Sequence, residues 1–235
     1  MKIIITKDYN NMSKLASEIV IKEIKKKPNL VVAFPTGKTP LGLCELLVRA
    51  YKNKKIDFSD IKTFRLDEYY PIKANDKKSL GYSIQKNLLD KVNIRKDNIN
   101  TLNTETKGFD RECRNYEAKI RKNKIDLMIL GVGVNGHIAF NEPGSLEGSK
   151  TRLVELTPET IKRNKIKKIK NALTIGVSTI MKSEKIILLA SGKDKAEAIR
   201  CLMKCKPDKC CPISFLKKHK NLIVIIDKEA GRLIS

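Results

Sequence analysis

The stretch IDLMILGVGVNGHIAFNEP, residues 125–143, joins a strongly apolar run to a glycine-rich turn. The run IDLMIL (125–130) has the length and composition of a strand that is buried on both faces of a parallel sheet. The residues behind it place an amide, an imidazole and a carboxylate within a short span. Because ligands of parallel α/β sheets bind beyond the carboxyl ends of the strands, this turn is the first candidate for a binding site.

Short β-rich blocks alternate with amphipathic blocks on both sides of this stretch. The other predicted strands are KIIIT (2–6), LVVAF (30–34), IKTFRL (61–66), RLVEL (152–156), ALTIGV (172–177), KIILLAS (185–191) and NLIVIID (221–227). Helical spacing of apolar residues covers 12–26, 39–53, 81–92 and 109–123, with further helices after Thr157, after Lys193 and around 213–219. This alternation predicts an α/β fold with a mostly parallel sheet in three layers, and a single domain over residues 1–235.

Four strand-end segments carry unusual chemistry: PTGKTP (35–40), DEYYP (67–71), GVGVNGHIAFNEP (131–143) and SGKDK (191–195). We interpret DEYYP as a polar loop that follows the strand IKTFRL. The carboxyl ends of parallel strands share one edge of the sheet, so we expect these segments to meet there.

Two of these segments resemble nucleotide-binding motifs. Gly131, Gly133 and Gly136 fit G-x-G-x-x-G, but HIAFNEPG follows them and is typical of a turn rather than of the helix that NAD binding requires. Gly37-Lys38-Thr39 matches the end of a Walker A motif, but the loop is too short to surround a triphosphate. Such a loop can bind one phosphate through backbone N–H groups at a helix start, and a plain strand–helix turn remains the alternative.

The formal net charge of +23 suggests nucleic acid as a partner, and the composition argues against it. The 39 Lys outnumber the 10 Arg, they are spread among acids over the whole chain, and there is no Trp. Nucleic-acid surfaces favour Arg and interleaved aromatic side chains. We therefore predict no nucleic-acid partner, and expect the positive field to attract anionic small molecules such as sugar phosphates.

The chain contains no apolar run of membrane-spanning length, and its N-terminus MKIIITKDYNN is typical of a strand rather than of a signal peptide. We therefore expect no membrane partner and a cytoplasmic location. Reduced thiols are the expected state there. Four of the six cysteines lie in CLMKCKPDKCC (201–211), where a zinc site is the less favoured alternative to incidental thiols.

A set of candidate catalytic residues remains. Asp67 follows a strand as a candidate base, and His137 is a candidate proton carrier that an acid five residues later, Glu142, can orient. In an extended stretch, Asn135 and His137 point to the same side. Candidate substrate- or phosphate-binding residues are Thr36, Gly37, Lys38, Thr39, Gly131 and Lys195. The set indicates proton abstraction and donation on a phosphorylated small molecule, with no metal and no cofactor.

These blocks, together with SKTRLVELT (149–157) and NALTIGVSTI (171–180), resemble the glucosamine-6-phosphate deaminase family in order and over nearly the whole chain. The resemblance implies a modified doubly wound, Rossmann-like sheet. It also implies conversion of glucosamine 6-phosphate to fructose 6-phosphate and ammonia. In that reaction Asp67 moves the proton between carbons 2 and 1, and His137 opens the sugar ring with support from Glu142 and Asn135. The phosphate loop and Lys195 bind the phosphate.

The chain departs from the family pattern in its lid, which spans Thr157–Ala172, looks shortened, and has no Arg clearly in register. Arg163 or a nearby Lys is the candidate substitute. The chain ends soon after DKEAGRLIS, and we expect no allosteric activation, although Arg152 matches one effector position. The sequence leaves both a monomer and a homo-oligomer open. A 6-phosphogluconolactonase and a sugar-phosphate sensor remain the alternative functions.

Overall fold

The computed structural model describes residues 1–166 and 168–234. Its strands form one large sheet and one small sheet. The ten strands are β1 Lys2–Thr6, β2 Val31–Phe34, β3 Lys62–Arg65, β4 Asp67–Tyr70, β5 Ile99–Asn100, β6 Leu127–Leu130, β7 Arg152–Glu155, β8 Asn171–Thr174, β9 Lys185–Ala190 and β10 Leu222–Asp227. The large sheet has the order β1-β10-β9-β6-β2-β3-β5, and all of its pairs are parallel.

The strand order reverses between β2 and β6. The chain continues from β2 to β3 and β5 on one side, and from β6 to β9 and β10 on the other. Adjacent loops at such a point leave in opposite directions and open a crevice beyond the carboxyl ends of the strands. The loops that begin at Pro35 and Gly131 flank this crevice, so the fold itself places the two glycine-rich segments side by side.

Helices cover both faces of the large sheet, which confirms the predicted three-layer, doubly wound architecture. They are α1 Tyr9–Lys26, α2 Leu41–Lys52, α3 Leu80–Asn87, α4 Phe109–Asn123, α5 Pro158–Asn164, α6 Val177–Ile180, α7 Ala196–Lys204 and α8 Lys228–Gly231. Alternate residues of β2 point to different cores. Val31 and Ala33 pack with the apolar faces of α4 and α7, whereas Val32 and Phe34 pack with α1 and α2.

Two predicted helices differ in the structure. The helix predicted over 81–92 ends at Asn87, and a short 3-10 helix follows at Leu89–Lys91, because Leu88 leaves helical geometry with φ −135°. The segment predicted as a helix around 213–219 is a 3-10 helix at Pro212–Lys218. Within residues 1–166 and 168–234, no helix is both long and apolar enough to cross a membrane.

The expectation that DEYYP is a loop was wrong, because Asp67–Tyr70 forms β4 of the small sheet. This sheet is antiparallel with the order β4-β8-β7, and its register pairs Asp67 with Thr174. Tyr69 supplies the physical reason, because its ring is buried in a separate apolar cluster with Phe140 and Ala172. The small sheet thus has a core of its own beside the large one.

The expectation of reduced, incidental thiols was wrong for one pair of cysteines. Cys201 on α7 and Cys211 are joined by a disulfide, because the chain turns back after α7 and brings Cys211 against that helix. Cys205 and Cys210 are free and exposed. In the described part of the chain, no group of three His, Cys, Asp or Glu side chains is arranged to hold a metal ion, so the zinc alternative gains no support.

Candidate active site

A cleft of about 570 Å³ lies at the point where the strand order reverses. The loops that follow β2, β6 and β9 line it, together with the start of β4 and the helix α5. All of the predicted site residues except Glu142 line this cleft. Glu142 lies behind His137 and contacts its ring. The four segments that the sequence singled out therefore converge as predicted.

Asp67 is a buried carboxyl at the junction of the two sheets. Only Leu66 separates the end of β3 from β4, so Asp67 starts the small sheet at the edge where the large sheet carries its cleft. Its side-chain atom Oδ1 is buried and has no hydrogen-bond partner among the described residues. Burial, followed by the nearby charge of Glu68, raises the pKa of Asp67 to about 7, and the opposing charge of Arg65 does not cancel this.

Glu68 fixes the position of its neighbour Asp67. Its carboxylate is 1% exposed and accepts five hydrogen bonds at 2.6–2.9 Å. The donors are Arg65 Nη1, Ser79 Oγ and the backbone N–H groups of Tyr69, Leu80 and Gly81. A buried carboxylate needs such donors to offset the loss of water. Glu68 therefore joins β4 to the start of α3 and restricts the backbone next to Asp67.

The glycine-rich turn positions His137. The N–H of Gly133 donates to the His137 carbonyl at 2.8 Å, and Gly136 between them has φ +83°, which favours glycine. A Cβ on Gly133 would lie 2.3 Å from the His137 ring, so only glycine leaves room for the imidazole there. No helix begins in this turn, so it lacks the helix start at which a dinucleotide-binding turn holds the pyrophosphate.

Glu142 collects three donors. Its Oε2 accepts from Asn135 Nδ2 at 2.7 Å and lies 3.1 Å from His137 Nδ1, and its Oε1 accepts from Thr160 Oγ1 at 2.6 Å. Burial alone would raise the pKa of Glu142, but the bonds from His137, Thr160 and Asn135 outweigh it and hold the pKa below its ordinary value. The ionised carboxylate requires the hydrogen on Nδ1, which leaves Nε2 of a neutral ring as an acceptor.

Asn135 and His137 do meet on the same side, as the sequence predicted, but for a different reason. The backbone is a tight turn rather than an extended stretch, and the Asn135 side chain also accepts from the His137 N–H at 3.2 Å. The shared carboxylate of Glu142 then brings both side chains together.

Cationic side chains and a short glycine-containing loop also line the cleft. Residues 36–39 form a loop that leads into the start of α2, and Gly37 in it has φ +88°. Lys195 also lines the cleft, and burial and the charge of Arg163 lower its pKa. Arg163 on α5 pairs with Asp194, which also neighbours Lys195. The backbone N–H groups of such a loop and the two cations suit a phosphate group.

Sequence reasoning missed several residues that line the cleft: Tyr69, Phe140, Thr160, Ser191 and Asp194. No local signal marks Thr160 as a partner of Glu142, because the two are 18 positions apart and meet only when α5 folds over the cleft. Tyr69 and Ser191 lie inside segments that the sequence did single out. Their closeness along the chain to Asp67 and Lys195 could therefore have identified them as cleft residues.

The fold and the cleft define a class of protein: a doubly wound α/β protein in which an oriented His–carboxylate pair and a buried carboxyl share one cleft with cationic side chains. A family model described as "Glucosamine-6-phosphate isomerases/6-phosphogluconolactonase" matches residues 9–225. The chain belongs to this family.

Individual relatives agree with the family match. The chain is 45% identical over 241 residues to a glucosamine-6-phosphate deaminase of Thermoanaerobacter sp. (strain X514), with 100% of this chain and 95% of the relative covered. The chain is also 45% identical over 238 residues to a glucosamine-6-phosphate deaminase of Clostridium novyi (strain NT), with 98% of this chain and 99% of the relative covered.

Solved structures are similar as well. One described as a monomeric glucosamine-6-phosphate deaminase superposes with a TM-score of 0.97 at 34% identity, covering 99% of this chain and 100% of that one. A 6-phosphogluconolactonase from Thermotoga maritima has a TM-score of 0.79 at 22% identity, covering 97% and 99%, and shares the fold.

Proposed function

We propose that the protein is a glucosamine-6-phosphate deaminase, which converts glucosamine 6-phosphate and water to fructose 6-phosphate and ammonia. The names of its relatives support this activity. The single observation that carries the proposal is the buried Oδ1 of Asp67, which has no partner among the described residues and belongs to a side chain that lines the cleft. A carboxyl held in this way is suited to accept a proton from substrate carbon.

In the proposed mechanism His137 opens the pyranose ring. The hydrogen bond from Nδ1 to Glu142 orients the imidazole and leaves Nε2 to exchange a proton with the ring oxygen and the carbon-1 hydroxyl. Glu142 stabilises the charge that the ring gains, and Asn135 and Thr160 hold Glu142 in place. Ring opening comes first because it creates the aldehyde that makes the proton on carbon 2 acidic.

Asp67 then acts as the base. It removes the proton from carbon 2 to give an enolamine, and returns a proton to carbon 1, which leaves a C=N bond at carbon 2. Water adds to that bond, and the C–N bond breaks to release ammonia and the ketose. A pKa near 7 gives the carboxylate more basicity than an ordinary Asp while leaving a large fraction of it ionised at neutral pH.

The phosphate of the substrate is assigned to the loop 36–39 and Lys195, which line the cleft. The backbone of Thr36, Gly37, Lys38 and Thr39 and the Lys195 ammonium supply donors, and Gly131, where an added Cβ would meet no atom within 4 Å, leaves room for the substrate. Arg163 is the lid residue that we assign to the phosphate, in exchange for its present partner Asp194. Its planar guanidinium can bind two phosphate oxygens at once.

We infer the setting of the enzyme from this chemistry. Sugar phosphates are charged and are retained inside cells, which supports a cytoplasmic location. The acid–base groups suffice for the isomerisation, so we expect activity without an added cofactor. We also propose that residues 1–235 act as one domain, since the cleft uses loops from both halves of the chain. Size-exclusion chromatography distinguishes the monomer from the homo-oligomer.

The test is release of ammonia and fructose 6-phosphate from glucosamine 6-phosphate by purified protein without added cofactor. Asp67→Asn should abolish turnover, and Asp97→Asn, at an exposed position without hydrogen bonds to its side chain among the described residues, is the matched control. Hydrolysis of 6-phosphogluconolactone in place of deamination would indicate the lactonase alternative. Binding of the sugar phosphate without turnover of either compound would indicate a sensor.

A further inference from the structure

The hydroxyl of Tyr9 connects the first helix of the chain to the phosphate loop, defined here as residues 36–39. Tyr9 begins α1 directly after β1, whereas the loop follows β2. The Tyr9 hydroxyl donates to the carbonyl oxygen of Lys38 at 3.2 Å and accepts from the N–H of Gly42 at 2.8 Å. One side-chain oxygen thus holds both the end of the loop and the first turn of α2.

The start of α2 depends on this contact because it lacks a side-chain cap of its own. The residue at the cap position is Pro40, which has no side-chain acceptor, and Gly42 lies in the first turn, where backbone N–H groups have no partner within the helix. The Lys38 carbonyl also accepts from the N–H of Leu41 at 3.2 Å. Tyr9 therefore supplies the cap from another element and closes the same turn.

The helices α1 and α2 pack closely together at this point. A Cβ placed on Gly42 would lie 2.6 Å from Ser13 Oγ and 3.1 Å from the Tyr9 hydroxyl. Ser13 lies on α1 one turn after Tyr9 and is buried. The glycine thus allows α1 to contact the backbone of α2 beside the loop, and Tyr9 adds directional hydrogen bonds to that contact.

We propose that Tyr9 is a positioning residue for the phosphate loop, which acts through Lys38 and Gly42 without touching the substrate. This inference rests on the proposed phosphate site. The loop contacts a phosphate group that does not react, and it holds that group equally in the ground state and the transition state. Loss of the Tyr9 hydroxyl should therefore weaken substrate binding and leave the chemical step unchanged.

The experiment compares Tyr9→Phe with wild type and with Tyr51→Phe. Tyr51 lies on α2 itself, packs edge-on against Phe58, and its hydroxyl makes no hydrogen bond among the described residues, so it is the matched control. For each protein, KM and kcat for glucosamine 6-phosphate are measured together with the Kd for inorganic phosphate and the Tm. Tyr9→Phe should raise KM and the phosphate Kd by similar factors of about three to ten, with kcat within about twofold of wild type.

The phosphate Kd separates this inference from the proposed function. Ammonia release by wild type tests the deaminase activity, whereas the ratio of phosphate Kd values tests Tyr9 whatever the reaction is. Equal phosphate affinity of wild type and Tyr9→Phe would overturn the inference, as would the absence of phosphate binding by wild type. A lower Tm without a change in affinity would assign Tyr9 to stability alone and would overturn it too.

Discussion

Asp67 shows how a single carboxyl acquires a function from its surroundings. It is 7% exposed and next to the buried charge of Glu68, and these two conditions raise its pKa to about 7. The sequence predicted the residue because an acid follows a strand. The sequence could not predict that Asp67 is buried, because its neighbours in space belong to β8 and to the other segments that line the cleft.

The raised pKa predicts the pH dependence of activity. A base must be ionised to accept a proton, so kcat/KM should rise with pH through about 7 and level off above it, instead of rising near the ordinary value of 3.8. A pH–rate profile from pH 5 to 9, with unfolding monitored at each pH, measures this limb. An acidic limb at or below about pH 5 would contradict the assignment of Asp67 as the base.

The raised pKa of Asp67 also predicts that ionisation of this carboxyl destabilises the folded protein. The folded protein binds the Asp67 proton more tightly than the unfolded chain does, so this contribution to stability is complete below pH 3.8 and is lost as pH rises to about 7. Asp67→Asn stays neutral and should be more stable than wild type at pH 8, by on the order of a few kcal/mol, with a smaller gain at pH 5. Urea unfolding at both pH values measures the difference, and a gain that does not change with pH would count against the shift.

Glu68 offers a separate test of how Asp67 is positioned. In Glu68→Gln an NH₂ group replaces one of the two oxygens that accept the five hydrogen bonds, and the neighbouring negative charge is lost. We expect kcat to fall at least about tenfold and the acidic limb of the pH profile to move downward, because one cause of the raised pKa is gone.

Glu45→Gln, at an exposed position on α2, is the control for Glu68→Gln. A loss of activity without movement of the acidic limb would restrict Glu68 to a purely structural role.

At the scale of elements, the helix α5 is part of the lid and contacts the acid–base centre. Thr160 donates from α5 to Glu142, which in turn orients His137. Thr157 caps the same helix by accepting from the N–H of Thr160, so the lid starts at a defined residue. The sequence predicted this helix start from Thr157, Pro158 and Glu159, and the structure confirms it.

Removal of the Thr160 hydroxyl should therefore affect catalysis. Thr160→Val preserves shape and loses the donor to Glu142, and we expect kcat to fall about tenfold because one of the three groups that orient the carboxylate is gone. Thr160→Ser keeps a donor and should retain most of the activity. Steady-state kinetics of both variants provide the measurement, and equal activity of the two would exclude a role for the hydroxyl.

The elements also show where sequence reasoning succeeds and where it stops. The parallel strands were predictable because each is a short apolar block with turn residues on either side. The small antiparallel sheet was not, because β4 and its partner β8 are about 100 residues apart and only tertiary packing pairs Asp67 with Thr174. The Tyr9 contacts were missed for the same reason, since they join separate elements, whereas the Cys201–Cys211 disulfide was missed because reduced thiols were expected in the cytoplasm.

At the scale of the whole molecule, the net charge of +23 acts on any anionic ligand. The cleft concentrates this effect, because Lys38, Arg163 and Lys195 line it. Positive fields around a cleft accelerate the encounter with anions, and salt screens them over about 8 Å at physiological ionic strength.

We therefore predict that kcat/KM for glucosamine 6-phosphate falls at least about threefold as NaCl rises from about 20 to about 200 mM, with kcat nearly constant. Initial rates over a range of salt concentrations measure this dependence. Sucrose solutions of the same viscosity as the NaCl solutions serve as the control for viscosity. A kcat/KM that does not change with salt would contradict electrostatic attraction of the substrate.

Most of the lid lies between β7 and β8, two antiparallel neighbours, so that segment is the connection of a hairpin. Its length can change without any shift in the register of the seven parallel strands, and longer loops cost little additional entropy. Insertions and deletions at this site are thus a route by which descendants of the same scaffold can accept larger or smaller sugars. A protein engineer can use the same route, exchanging one surface hairpin and leaving the rest of the chain untouched.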